Sequence, residues 1–128
     1  MRRWLFTSVW LLFVALIIYF ADRHLARSFF SFVQQLPGAD KAGHFVLIGG
    51  VAFFLNTSLG AREISAFGCR FLLGSVIVVA VFTIEEITQM RIPWRTFDYG
   101  DLAADYAGIL FFGWLARRAI ADTVPTVK

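Results

Sequence analysis

The chain is short of charge. Asp, Glu, Lys and Arg make up 16% of its 128 residues, against roughly a quarter in an ordinary soluble domain. It has one cysteine, Cys69, so no internal disulfide can form and cysteine usage carries no information on compartment. Basic runs longer than two residues are missing. A dense basic face is what nucleic-acid binding needs, so nucleic acid is not an expected partner. The G-x-S-x-G, P-loop and H-E-x-x-H patterns are absent, as are paired cysteines. The paired His and Arg motifs expected of membrane lipid phosphatases are missing too. No internal repeat is visible, and no cofactor is expected.

Apolar residues fill the space. Hydrophobic residues make up 59% of the chain, with fifteen Phe and four Trp, and mean hydropathy is +0.70. A domain of 14.5 kDa has too high a surface-to-volume ratio to hide that much apolar surface from water. A disordered chain and a plain soluble enzyme are excluded, and an all-α membrane protein is expected. One domain over residues 1–121 is expected, followed by a disordered tail at 122–128 containing Pro125.

Four apolar segments predict four transmembrane helices in a compact bundle. They run from Trp4 to Ala21, from about Gly43 to Gly60, from about Phe71 to Thr88, and from about Leu102 to Ala116. Each approaches the roughly 20 residues that cross a hydrocarbon core. Met1-Arg2-Arg3 resembles the start of a signal peptide. The first apolar stretch is longer than a usual signal core and no A-x-A site follows, so a retained helix is expected. Between the first two segments, Leu25, Phe29, Phe32 and Leu36 recur at helical spacing, with Arg27, Ser31, Gln34 and Gln35 on another face. This predicts a short amphipathic helix lying in the outer interface, ended by Pro37-Gly38.

Basic residues orient the chain. Arg2, Arg3, Arg62, Arg70, Arg117, Arg118 and Lys128 fall on one side; Arg23, Arg27, Lys41, Arg91 and Arg95 fall on the other. The bias predicts both termini on the cytoplasmic side. Arg91 reads as an interfacial anchor.

With that topology Asp40, Glu85, Glu86, Asp98, Asp101 and Asp105 all reach the outer side, together with His44, Gln89, Lys41 and Arg95. Asp40 and His44, Glu85 and Gln89, and Asp101 and Asp105 are each four apart and share a helix face. Sixteen residues separate Arg70 from Glu86, which is roughly 24 Å of helical rise. Twelve separate Asp105 from Arg117, about 18 Å, so Asp105 lies deeper. An ionisable group at such depth is costly and should face the bundle interior. Asp40 and Asp101 are also candidates to cap the second and fourth helices. Ala104 and Gly108 form a small-xxx-small pair suited to close helix packing.

At these residues the sequence resembles the VanZ-like family of small bacterial membrane proteins. The resemblance rests on Asp40-Lys41-Ala42-Gly43-His44-Phe45, then Glu85-Glu86-Ile87-Thr88-Gln89, then Arg95 after Pro93-Trp94, then Asp101-Leu102-Ala103-Ala104-Asp105 and Gly108. It runs from residue 40 to about 113. Phe97, Asp98 and Tyr99 stand where the family commonly has small polar residues. The resemblance implies a multi-pass membrane protein, and the family takes its name from a protein linked to resistance to the glycopeptide teicoplanin.

Three functions suit the polar residues. The first is binding or processing of an anionic cell-envelope component, such as a lipid-linked precursor, or a glycopeptide. His44, Glu86 and Asp105 would then be the catalytic acid–base set, with Asp40, Lys41, Gln89, Arg95 and Asp101 binding the ligand. The second is a structural or partner-binding role in which the cluster holds the helices together. The third is a metal site of His44 with Asp40, Glu86 and Asp105; without a metal-binding spacing motif, no metal is assigned from sequence.

Overall fold

The computed structural model describes residues 1–23, 26–95 and 97–123. Leu25 of the expected amphipathic helix and residues 124–128 of the expected tail lie outside them. Five helices dominate: α1 (Arg2–Asp22), α2 (Arg27–Gln35), α3 (Ala39–Ser58), α4 (Leu73–Gln89) and α5 (Tyr99–Ala121). The all-α expectation holds, with one addition. A hairpin of β1 (Glu63–Ala66) and β2 (Cys69–Leu72) precedes α4. Glu63 pairs with Leu72 and Ala66 with Cys69 in antiparallel register. Its two-residue turn, Phe67-Gly68, has positive φ at both positions (53° and 74°), the geometry that suits the twist of a tight hairpin.

The hairpin corrects the third apolar segment. Phe71 and Leu72 belong to β2, and the helix starts at Leu73 and has 17 residues. Among the described helices, α1 is the one long and apolar enough to cross a membrane by itself. α2 and α3 meet that criterion as a pair bent by 110° across the Pro37-Gly38 break. The polar residues in the first turns of α3 and α5 explain why these two helices fall short of a purely apolar span.

α3 is the central element. Its most extensive partner is α5, where Gly49 faces Gly108. A β-carbon on Gly108 would overlap the carbonyl of Phe45, so the missing side chain lets the two backbones meet. α1 covers another side of α3. The Trp10 ring lies over Gly50 and its indole N–H donates to the Leu47 carbonyl at 3.0 Å. The buried Thr7 hydroxyl is 2.9 Å from the Phe54 carbonyl and 2.8 Å from Ser58 Oγ. Val14, Ile48, Val51, Ala52, Val78, Phe82 and Ile109 form the core between the helices.

The outer faces are as apolar as the core. α1 buries only Thr7 and Val14, leaving Leu5, Phe6, Val9, Leu12, Phe13 and Leu16 exposed. Val76, Ile77, Val81, Ile84 and Ile87 on α4, and Leu110, Phe111 and Trp114 on α5, are exposed too. α2 buries no residue: Phe29 and Phe32 are exposed, and so are Arg27, Ser31, Gln34 and Gln35.

Charged residues gather at the two ends. Arg3 reaches the Thr57 carbonyl, and Arg70 and Arg117 both pair with Glu63. The hairpin, the start of α1 and the end of α5 therefore share one end of the molecule. The acidic residues at the starts of α3 and α5 and the end of α4 meet at the other.

Candidate functional site

The site is assembled from three helix ends. The Gly108–Phe45 contact brings α5 against α3 beside His44 and one turn from Asp105. His44 Nδ1 lies 2.9 Å from Asp105 Oδ1. His44 Nε2, on the other edge of the ring, faces Asp101 Oδ2 at 3.8 Å. Asp101 Oδ1 accepts from Lys41 Nζ at 3.2 Å, and Lys41 also donates to Asp98 at 2.9 Å and approaches Asp40 at 3.5 Å. A continuous chain thus links Lys41, Asp101, His44 and Asp105 across the two helices.

Lys41 and Asp98 lie at the rim of this end, outside the expected spans. The hydrogen bonds from Lys41 to Asp98 and then Asp101 raise the lysine well above its ordinary value. The same Lys41 bond, and then the Gly100 amide, hold Asp98 below the ordinary carboxylate value. Both effects favour the charged forms.

α4 contributes Glu86, which points into the group from the third side. It is 1% exposed, and Asp105 is 2% exposed. Neither Glu86 oxygen has a hydrogen-bond partner among the described residues. The Asp98 amide is near enough to act on Glu86 electrostatically without meeting hydrogen-bond geometry. One ligand-capable atom each from His44, Glu86 and Asp105 fall within 4.8 Å of one another.

Gln89 and Arg95 form a second, adjoining group. Gln89 is buried; its amide donates to both Glu85 oxygens (2.9 and 2.8 Å), and its Oε1 accepts from Arg95 Nε at 3.1 Å. Arg95 also pairs with Asp22 at 3.3 Å, joining α1 to the loop after α4. Of the residues singled out from sequence, the structure therefore groups Asp40, Lys41, His44, Glu86, Asp101 and Asp105, and places Gln89 and Arg95 beside them with different partners.

Two capping expectations are corrected. The residue preceding α3 is Gly38, and Asp40 sits inside the first turn, where its side chain accepts from the Lys41 amide. The cap of α5 is Asp98, which accepts from the Gly100 amide at 2.6 Å; Asp101 is left free to engage Lys41 and His44. Sequence reasoning missed Asp22 altogether, because its partner is 73 residues away. Asp98 was legible as an N-cap, being followed directly by the helical pattern.

Fold and site together define a class: a small helical protein with apolar outer faces and, at one end, an acid–histidine cluster whose Glu86 and Asp105 are buried. No family model, no curated protein and no solved structure matches the chain.

Proposed function

We propose that this chain is a multi-pass bacterial inner-membrane protein of the VanZ-like kind. α1, α3, α4 and α5 span the bilayer, both termini are cytoplasmic, and α2 lies in the outer interface. The polar cluster opens to the outer leaflet and binds or processes an anionic cell-envelope ligand, such as the headgroup of a lipid-linked precursor. This places the protein in envelope biology and possible antibiotic response, the setting of the family's name.

The observation that carries the reading is a half-buried His44 grouped with the buried Asp105 and Glu86, inside helices whose outer faces are apolar and exposed. Water would penalise those faces, whereas hydrocarbon would not. The 17 residues of α4 rise about 26 Å and the 23 of α5 about 34 Å, in the range of a hydrocarbon core. Seven basic residues are assigned to the hairpin side and five to the other, and this modest excess favours the hairpin end inside. The family likeness rests on the motif residues alone.

For the ligand, α3 and α5 both direct their N-termini, with their positive partial charge, toward the cluster. Lys41 and Arg95 supply cationic groups, and His44, Glu86 and Asp105 are positioned for proton transfer. A second reading has its own support. Lys41 bonds both Asp98 and Asp101, so the cluster also ties α3 to α5; a purely structural or partner-binding role would use the same contacts.

Native mass spectrometry of gently solubilised protein separates the two. The reading expects a co-purifying anionic lipid that is lost in a folded His44→Ala, Arg95→Ala double variant. An absence of adduct in both forms, with a large drop in melting temperature of the variant, supports the structural reading instead.

A further inference from the structure

Glu86 presents a difficulty that neither ligand binding nor helix packing resolves. A carboxylate removed from water is costly unless it is paired, and both oxygens of this one lack a hydrogen-bond partner among the described residues. It points at His44 and Asp105, which already face each other at 2.9 Å. The surrounding charge is also one-sided. Lys41 is engaged by three other carboxylates, Asp40, Asp98 and Asp101.

We propose that His44, Glu86 and Asp105 bind one divalent transition-metal ion of the zinc class. One imidazole nitrogen and two carboxylates form a mixed N/O set of the kind that such ions take, with three protein ligands and an open fourth position. The ligands of a tetrahedral zinc lie about 3.3 Å apart. The three atoms already lie within 4.8 Å of one another. The remaining closure falls to Glu86, whose carboxylate can swing without breaking a hydrogen bond.

The ion would sit between His44 Nδ1 and Asp105 Oδ1, replacing the proton they now share. His44 Nε2 then faces Asp101, and Asp101 is held by Lys41. A ligating histidine whose second nitrogen meets a carboxylate is the usual outer-shell arrangement of zinc sites, fixing tautomer and ring orientation. The metal gives Lys41 and Asp101 a role as positioning residues. The inference stands on this geometry and goes beyond the envelope-ligand reading; the open position would let an anionic oxygen approach an otherwise acidic cluster.

The test uses the full chain in mild detergent, stripped with chelator and titrated calorimetrically with Zn²⁺. The expected result is one Zn²⁺ per chain, with affinity reduced at least about tenfold in Glu86→Gln and in Asp105→Asn. Glu85→Gln should bind as the unmodified chain does, because Glu85 faces Gln89. Cobalt(II) reads the same site without any substitution: bound by this ligand set with an open position, it should give visible absorption bands much stronger than those of the aqueous ion. Absence of saturable stoichiometric Zn²⁺ binding, absence of those bands, or a folded Glu86→Gln chain that binds Zn²⁺ unchanged would each overturn the proposal. Stoichiometric zinc with no co-purifying lipid would leave the metal site standing while the envelope-ligand reading failed.

Discussion

Gly108 of α5 sits directly against the backbone of Phe45 on α3, and this contact holds His44, next to Phe45, in hydrogen-bond range of Asp105, one turn before Gly108. A packing residue without any polar atom therefore controls the geometry of the polar cluster. Gly49, facing Gly108 from α3, leaves the space that makes the approach possible.

Gly108→Ala should separate the helices. The added methyl meets main-chain atoms, which cannot rotate away as a side chain can. Overpacking of this kind costs about 1–3 kcal/mol. The check is a lowered melting temperature in detergent. A variant as stable as the parent would show that α3 and α5 do not meet at this point.

Thr7 links α1 to the end of α3 through the Phe54 carbonyl and Ser58. Thr7→Val keeps the shape and removes these bonds, while the Phe54 carbonyl still accepts from Thr57, and should cost about 1 kcal/mol. Ser58→Ala in the same background should add little, because the shared contact is already gone. A double-variant cycle of melting measurements tests this coupling.

The rim pair responds to pH in a defined direction. Asp98 is held below its ordinary value of 3.8, so its contribution is present above that value and lost as pH falls through the lower, folded value. Lys41 is raised above its ordinary 10.5, so its contribution is complete below 10.5 and lost as pH rises through the folded value. The pair is therefore at full strength across the whole range between 3.8 and 10.5. Asp98→Asn should reduce the drop in melting temperature on going from neutral pH to about pH 3, while Asn still caps α5. The effect should be small and should fade with added salt, since the two side chains are 46% and 42% exposed.

Much of this architecture was legible from sequence, for reasons that differ by element. The charge-free run from Trp4 to Ala21 made α1 plain. Phe29 and Phe32 at helical spacing marked α2 as a helix, and Pro37-Gly38 marked its end. The 4-residue spacing of Asp101 and Asp105 put both on one face of α5, and Asp40-Lys41-His44 opened α3. The hairpin was hidden because Phe71 and Leu72 continue into the apolar run of α4, and a short apolar stretch cannot be assigned to strand or helix by periodicity. Its turn was hidden too, since Phe67 adopts a positive φ that non-glycine residues seldom take. The pairing of Arg95 with Asp22 and the division of labour between Asp98 and Asp101 depend on how distant segments meet, which spacing within one helix does not encode.

The orientation of the cluster is open to direct measurement with the chain's own cysteine. Cys69 is exposed on the hairpin at the basic end. In intact cells a membrane-impermeant maleimide should leave Cys69 unlabelled, and should label it after permeabilisation. In a Cys69→Ser background, Tyr99→Cys introduces a thiol at an exposed position beside the acidic cluster; it should be labelled from outside without permeabilisation. Labelling of Cys69 in intact cells, with protection of position 99, would reverse the topology and contradict an outward-facing site.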